Sequence, residues 1–209
     1  MNKPGLLIVI SGPSGAGKGT ICKELLKDKG FYLSVSITTR QPRSGEVDGE
    51  SYYYYSKEEF KNKIEEKDFL EYAEVYGNFY GTPKSKVMEK LDNGQDVILE
   101  IDIQGALKVK ENFEEGVFIF ILPPSMEELK NRIIKRGSET PESLMTRFKS
   151  AYKEINYLSK YNYAVVNDTV EEAAKKIKSI ITAEKCRVDR IKENLLDSKE
   201  GIIHEQLYD

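Results

Sequence analysis

Leu6-Leu7-Ile8-Val9-Ile10, then Ser11, then Gly12-Pro13-Ser14-Gly15-Ala16-Gly17-Lys18-Gly19-Thr20 carries the strongest signal in the chain. Five apolar residues in a row, stopped by Ser-Gly-Pro, read as a strand buried on both faces, as in a parallel sheet. After the glycines, Lys18–Lys29 sets Ile21, Leu25 and Leu26 among polar residues and predicts a short amphipathic helix closed by Gly30. A glycine-rich turn between a buried strand and a helix start is the context of a P-loop. The glycines let the backbone curl until several N–H groups converge on phosphate oxygens, and the positive helix end adds to the attraction. Residues 12–20 are therefore candidate nucleotide-phosphate ligands, with Lys18 expected to reach the β- and γ-phosphates.

Outward from this loop the pattern repeats. Asp96–Ile101, Val117–Leu122 (stopped by Pro123-Pro124) and Tyr163–Val166 read as three more buried strands, with helical patterns between them. Repeated βα alternation predicts an α/β domain around a central parallel sheet. Ser56-x-x-Glu59 and Ser125-x-x-Glu128 read as capping boxes, and Asp168-x-x-Glu171 as a weaker one. Thr140-Pro141 sets a cap before a proline at the first helical position. The final helix is expected from about Val170 to about Leu196. Ser34–Thr39, Ser51–Tyr55 and Asn78–Tyr80 are short, β-prone and tyrosine-rich, which predicts a small β-rich lobe inserted after the first βα unit.

The 209 residues suit one medium domain, or one with a small insertion. With 32 Lys and Arg against 35 Asp and Glu, the net charge of −3 argues against a protein that coats nucleic acid. The longest apolar runs, Val117–Leu122 and Leu6–Ile10, fall far short of the roughly 20 residues of a membrane span. No signal peptide is visible at the start, and a cytoplasmic location is expected. Cys22 and Cys186 have no CxxC spacing, and His204 is the single histidine. Catalysis must then rely on carboxylates, Lys and Arg, hydroxyls and backbone.

Two further clusters carry chemistry. Glu100 and Asp102 stand at i, i+2 and are expected on one face at the C-terminal end of a buried strand, where α/β sheets bind ligands. Arg40 and Arg43 lie in the turn-rich segment Ser36–Glu46, and Tyr52 and Tyr80 offer phenolic donors. Two arginines and two tyrosines can hold a phosphate dianion by charge-assisted hydrogen bonds.

Gly-Lys-Gly-Thr at 17–20 departs from the usual P-loop, which has Ser or Thr directly after the lysine. This ending is familiar among nucleoside monophosphate kinases. Together with S-I-T-T-R-Q-P-R-S-G-E (36–46), D-G-E-S-Y (48–52), F-L-E-Y-A-E (69–74), G-N-F-Y-G-T (77–82), I-L-E-I-D-I-Q-G (98–105) and V-V-N-D (165–168), it resembles guanylate kinase over about residues 5–185. The resemblance implies a P-loop core (1–33, 83–125 and 159–185), a GMP-binding lobe (34–82), a lid bearing arginines (126–158) and an extension (186–209) to which nothing carries over. It implies phosphoryl transfer from ATP to GMP, and to dGMP, with Mg²⁺ held mainly by phosphates and water rather than directly by side chains. Ser36, Glu71 and Thr82 resemble the guanine readers. Arg40, Arg43, Tyr52 and Tyr80 resemble the GMP phosphate cradle, and Glu100 and Asp102 the acids beside acceptor and metal. Arg132, Arg136 and Arg147 match lid arginines that act with Lys18 on the transferring phosphate, and Asn167 and Asp168 fall where the family places the ATP base. Glu100 stands where Asp is common, and Phe79 where Tyr is frequent. The competing expectations are an inactive protein-binding module of the same fold, which typically has a degraded phosphate loop, and a kinase for another monophosphate. Monomer and homodimer are left undecided.

Overall fold

A strand with no polar side chain facing out needs cover on both faces, and the first strand receives it. In the computed structural model, β1 (Leu7–Ser11) is buried at all five positions. It lies in the middle of a five-stranded sheet with β2 (Phe31–Leu33), β7 (Asp96–Glu100), β8 (Val117–Leu122) and β9 (Tyr163–Val166), ordered β2-β7-β1-β8-β9. Every neighbouring pair in this sheet is parallel. Between β2 and β7 the chain forms β3 (Ile37–Thr38), β4 (Tyr53–Tyr54), α2 (Lys57–Glu65), β5 (Phe69–Val75), β6 (Asn78–Pro83) and α3 (Lys84–Asp92). The other helices are α1 (Lys18–Leu25), α4 (Ile103–Asn112), α5 (Met126–Lys135), α6 (Pro141–Ile155) and α7 (Val170–Glu184). The structure describes residues 4–43, 45–75, 77–135 and 141–191, and of residues 135 and 141–147 the backbone only.

Alternation along the strands sorts the core into two layers. Ile8, Ile10, Ile98, Ile119 and Ile121 pack with Ile21 and Leu25 of α1 and with Ile177 and Ile181 of α7. Leu7, Val9, Val97, Leu99 and Phe118 pack on the opposite face with Val87 and Leu91 of α3 and Ala106 and Val109 of α4. Each fully buried aliphatic side chain contributes about 1.5–3 kcal/mol, so this two-sided core fixes β1 and the loop that follows it. Among the described residues, no helix is long and apolar enough to cross a membrane.

The second sheet, ordered β4-β3-β6-β5, is the expected β-rich insertion. Its aromatic filling includes Phe60 stacked on Phe69 at 4.5 Å and on Phe79 at 5.4 Å between ring centroids.

Several local expectations are corrected. The first helix ends at Leu25, not Lys29, because a turn intervenes before β2. The last helix ends at Glu184, with a separate helical turn at 188–191; the rest of the expected helix, to Leu196, lies outside the described residues. Its cap is Thr169, which accepts from the Glu172 N–H, so the expected Asp168 cap is off by one residue. The Ser56 capping box has both of its bonds. Ser125 accepts from the Glu128 N–H, but the Glu128 carboxylate accepts from Arg132. Thr140 lies outside the described residues; α6 does begin at Pro141.

Candidate active site

The chain leaves β1 through Gly12 at φ 139°, where a Cβ would stand 2.4 Å from the Ile121 carbonyl oxygen, and enters α1 through Gly17 at φ 93°. Only glycine adopts the first conformation at no cost, and the close approach closes the space as well. The curl aims the start of α1 into a cleft of about 300 Å³ between the two sheets. Gly12, Ser14, Gly15, Gly17, Lys18 and Gly19 line one side of it; Ser36, Arg43, Tyr52, Glu71 and Tyr80 line the other. Glu100 and Asp102 lie between. Of the remaining loop residues, Pro13, Ala16 and Thr20 are not in this lining, and Thr20 is exposed.

Lys18 donates to the carbonyls of Gly12 (2.6 Å) and Pro13 (3.2 Å) on its own loop. Burial pulls its pKa down, while the charges of Glu100, Glu154 and Asp102 oppose that pull. Asn167 is buried beneath the loop and donates from Nδ2 to the Ala16 carbonyl at 2.7 Å. It thereby holds the loop from below; Asp168 beside it is exposed.

Glu71 owes its inward aim to a bulge. Phe69 pairs with Pro83 and Glu71 with Thr82, so β5 carries one extra residue there. A bulge re-aims a side chain, and Leu70 and Glu71 are both buried in succession. The Thr82 hydroxyl donates to Glu71 Oε1 at 2.7 Å, and a Cβ at Gly105 would stand 2.7 Å from Glu71 Oε2. Burial raises the Glu71 pKa to about 7; the Thr82 hydrogen bond resists this and the Asp102 charge adds to it. Thr82 itself is fully buried and reaches the cleft only through Glu71.

The expected phosphate cradle assembles in part. The Tyr52 and Tyr80 rings meet edge to face at 5.9 Å, and the Arg40 guanidinium sits 5.5 Å from the Tyr52 ring centre. Burial, with the Glu100 charge next in weight, pushes the Tyr52 hydroxyl up to about 12, so it stays protonated as a donor. Arg40 does not line the cleft: its Nη2 donates to both carboxylate oxygens of Glu46, at 2.9 and 3.0 Å. Glu46 also accepts from the Arg43 N–H and the Tyr54 hydroxyl, each at 2.8 Å. Burial opposes its charge, yet these donors hold its carboxyl down at about 2.

Asp102 corrects the strand reading. β7 ends at Glu100, and Asp102 is the N-cap of α4, accepting from the Gly105 N–H at 2.9 Å. Both acids line the cleft all the same, on a strand end and a helix start rather than one strand face. Arg132 donates from Nε to Glu128 (2.8 Å) and from Nη2 to the Asn167 carbonyl (3.3 Å), beside the loop and outside the cleft lining. Arg136 lies outside the described residues; Arg147 falls within α6, and its side chain lies outside them too.

A sequence profile described as guanylate kinase matches residues 5–184. The chain belongs to the guanylate kinase family. A guanylate kinase of Clostridium tetani is 78% identical over 98% of this chain and 99% of its own. One from Clostridium acetobutylicum is 77% identical over the whole of both chains. The crystal structure of guanylate kinase from Anaplasma phagocytophilum superposes with a TM-score of 0.79 at 36% identity, covering 96% of this chain and 98% of that one.

Sequence reasoning missed Glu46, Gly105, Ser150 and Glu154. Ser150 and Glu154 stand one helical turn apart on α6 and both line the cleft. Burial raises the Glu154 pKa, against the pull of Lys18 and of the Ser14 amide that faces it. Only the glutamate's proximity to Lys18 in space reveals it; its sequence neighbours look like any charged helix face.

Proposed function

We propose that this protein transfers the γ-phosphoryl group of ATP to GMP, giving ADP and GDP, and that the cleft between the two sheets is where transfer occurs. The observation that carries this reading is a single cleft lined by the P-loop lysine Lys18 on one side and by Glu71, Ser36, Tyr52 and Tyr80 on the other. Two nucleotides bound there meet with their phosphates near Glu100 and Asp102.

Phosphoryl transfer needs in-line positioning and neutralised charge more than covalent help. The loop amides of residues 12–20 would hold the ATP phosphates and Lys18 the charge that develops on them. Asn167, by fixing Ala16, would hold the loop's shape. Tyr52, Tyr80 and Arg43 would bind the GMP phosphate, with Arg40 braced by Glu46 behind them. Glu71, oriented by Thr82, would accept from guanine N1–H and its amine, and Ser36 would meet the base edge. Arg132 of α5 and Arg147 of α6, together with Arg136, would bring positive charge as α5 and α6 close as a lid.

The donor set suits a divalent cation carried by the nucleotide. Mg²⁺ commonly keeps phosphates and water as ligands and adds one or two carboxylates. Gly19 leaves room for one such group: a Cβ there would stand 3.3 Å from a Glu100 carboxylate oxygen. Glu100 and Asp102 are therefore the groups that would hold the ion's water. When bound, Mg²⁺ neutralises charge shared between the phosphates. A soluble, cytoplasmic setting fits these two substrates.

A coupled ADP-release assay with GMP, dGMP, AMP and UMP tests the reading. Turnover is expected with GMP and dGMP and not with AMP or UMP. AMP or UMP used as well as GMP would assign the cleft to another acceptor; no turnover with any acceptor would favour a binding module. Lys18→Ala should lower turnover by about 10²–10³, the usual worth of one electrostatic contact to developing charge, with the melting temperature unchanged.

A further inference from the structure

Lys67, just past the end of α2, holds a φ of 56°, the one positive value at a non-glycine among the described residues. Its N–H donates to the Ile64 carbonyl at 3.0 Å, and the Asp68 N–H donates to the Lys63 carbonyl at 3.2 Å. This is a Schellman ending, in which glycine usually takes the left-handed place. The turn delivers Asp68 to the foot of β5, one residue before Phe69. There the Asp68 carbonyl accepts from the Lys84 N–H at 3.0 Å. Its Oδ1 accepts from the Ser85 N–H at 3.1 Å and its Oδ2 from Lys63 at 3.2 Å. Burial opposes the charge on Asp68, but Ser85 and Lys63 hold its carboxyl below its ordinary value. Lys84 and Ser85 open α3, whose N-cap, Pro83, offers no side-chain cap. Asp68 supplies one from 17 residues away. α3 is in turn seated in the core of the central sheet through Val87 and Leu91. Asp68 with Lys84 and Ser85 therefore stands on one side of the β5 bulge, and Glu71 with Thr82 on the other. A strand that slips by one residue turns its side chains to the opposite face, and a bulge is where such a slip is absorbed.

We propose that Asp68 is a positioning residue for base selection: by fixing the foot of β5 to the start of α3, it holds the bulge in register and keeps Glu71 aimed into the cleft. The proposal rests on reading Glu71 as the group that accepts from guanine. Asp68 is not part of the cleft lining and touches no substrate. It acts on the base through Glu71, while the P-loop forms the opposite wall of the cleft. Its effect should therefore fall on the acceptor and spare ATP.

The test is steady-state kinetics of the full chain with GMP and with AMP as acceptor, the melting temperature being recorded for each protein. Wild type is compared with Asp68→Ala, Asp68→Asn, Glu71→Gln and the double variant Asp68→Ala, Glu71→Gln. Asp68→Ala is expected to raise KM for GMP about tenfold, with KM for ATP within about twofold of wild type. It should also cut the GMP-over-AMP ratio of kcat/KM at least about fivefold, ~1 kcal/mol. Asp68→Asn keeps an oxygen for the Ser85 N–H and should stay within about threefold of wild type on both measures. In the Glu71→Gln background the Asp68→Ala change should add less than about twofold, since residues that act through one group are not additive. A helix cap and nothing more would lower the melting temperature and leave the ratio and KM for GMP unchanged. That result, or a loss that adds in full to that of Glu71→Gln, overturns this proposal alone. A ratio in Glu71→Gln equal to that of wild type overturns the guanine reading and this proposal with it. Should Asp68→Ala not fold, Asp68→Glu, which keeps the charge but moves it by one methylene, is held to the same expectations.

Discussion

Glu71 sets two pH dependences of opposite sign. Its folded pKa is about 7 against an ordinary 4.5, so the folded chain holds this proton more tightly than the unfolded one. The stability it contributes is fully present below pH 4.5 and is lost as pH rises through 7, a swing on the order of 3 kcal/mol. Binding of guanine needs the carboxylate, so GMP recognition should improve over the same rise. Urea unfolding at pH 5 and pH 8 should show wild type losing stability relative to Glu71→Gln, while kcat/KM for GMP climbs with pH in wild type and stays flat in the variant. Parallel behaviour of the two proteins would mean that Glu71 does not titrate there. Specificity follows from the same group. Hydroxyls can donate or accept, whereas a carboxylate only accepts and meets a lone pair on adenine N1. Glu71→Gln should cut the GMP-over-AMP ratio of kcat/KM by more than about tenfold, ~1.4 kcal/mol; a smaller fall would place base selection elsewhere. At this scale Lys18, Glu71 and the two tyrosines were legible because fixed motifs carry them. Glu154 and Glu46 were not. In a chain with 35 acidic residues, a glutamate on an amphipathic helix or in a turn shows no sign of which cation the fold will bring to it.

At the scale of elements, the close approach of α4 to β5 makes its own prediction. Gly105 lies inside α4, and a Cβ there would stand 2.7 Å from Glu71 Oε2, with Thr82 holding the same carboxylate from the other side. Alanine favours a helix interior over glycine by about 0.5–1 kcal/mol. Gly105→Ala should therefore raise KM for GMP about tenfold or more without lowering the melting temperature, the crowding falling on the site rather than on the helix. An unchanged KM, or a large loss of stability, would contradict the tight packing of α4 on Glu71. Long apolar runs made β1, β7, β8 and β9 readable in advance. β2 was missed because it has three residues, all half-buried, too few for any period to show. The bulge in β5 was also hidden: it breaks the alternation that would have marked the strand, and Glu71 faces inward because of it.

For the whole molecule, the cleft lies between a five-stranded sheet and a separate four-stranded one. Its walls come from two separate sheets, and closure over paired substrates would exclude the water that competes for the phosphoryl group. Small-angle scattering should show a smaller radius of gyration with a bisubstrate analogue bound; an unchanged radius alongside saturating binding would count against closure. The sheet order has a different consequence, for the chain as it is made. β1 pairs only with β7 and β8, and nothing between residues 11 and 96 completes its ladder. Synthesis runs from the N-terminus at about 5–20 residues per second, so the phosphate loop, among the earliest parts of the chain to be made, waits for seconds with no strand to anchor it. Nucleotide is not expected to assist the growing chain through that interval, because the strands that flank β1 on both sides, β7 and β8, are made later. The loop proposed to hold the nucleotide phosphates is thus made early and completed late.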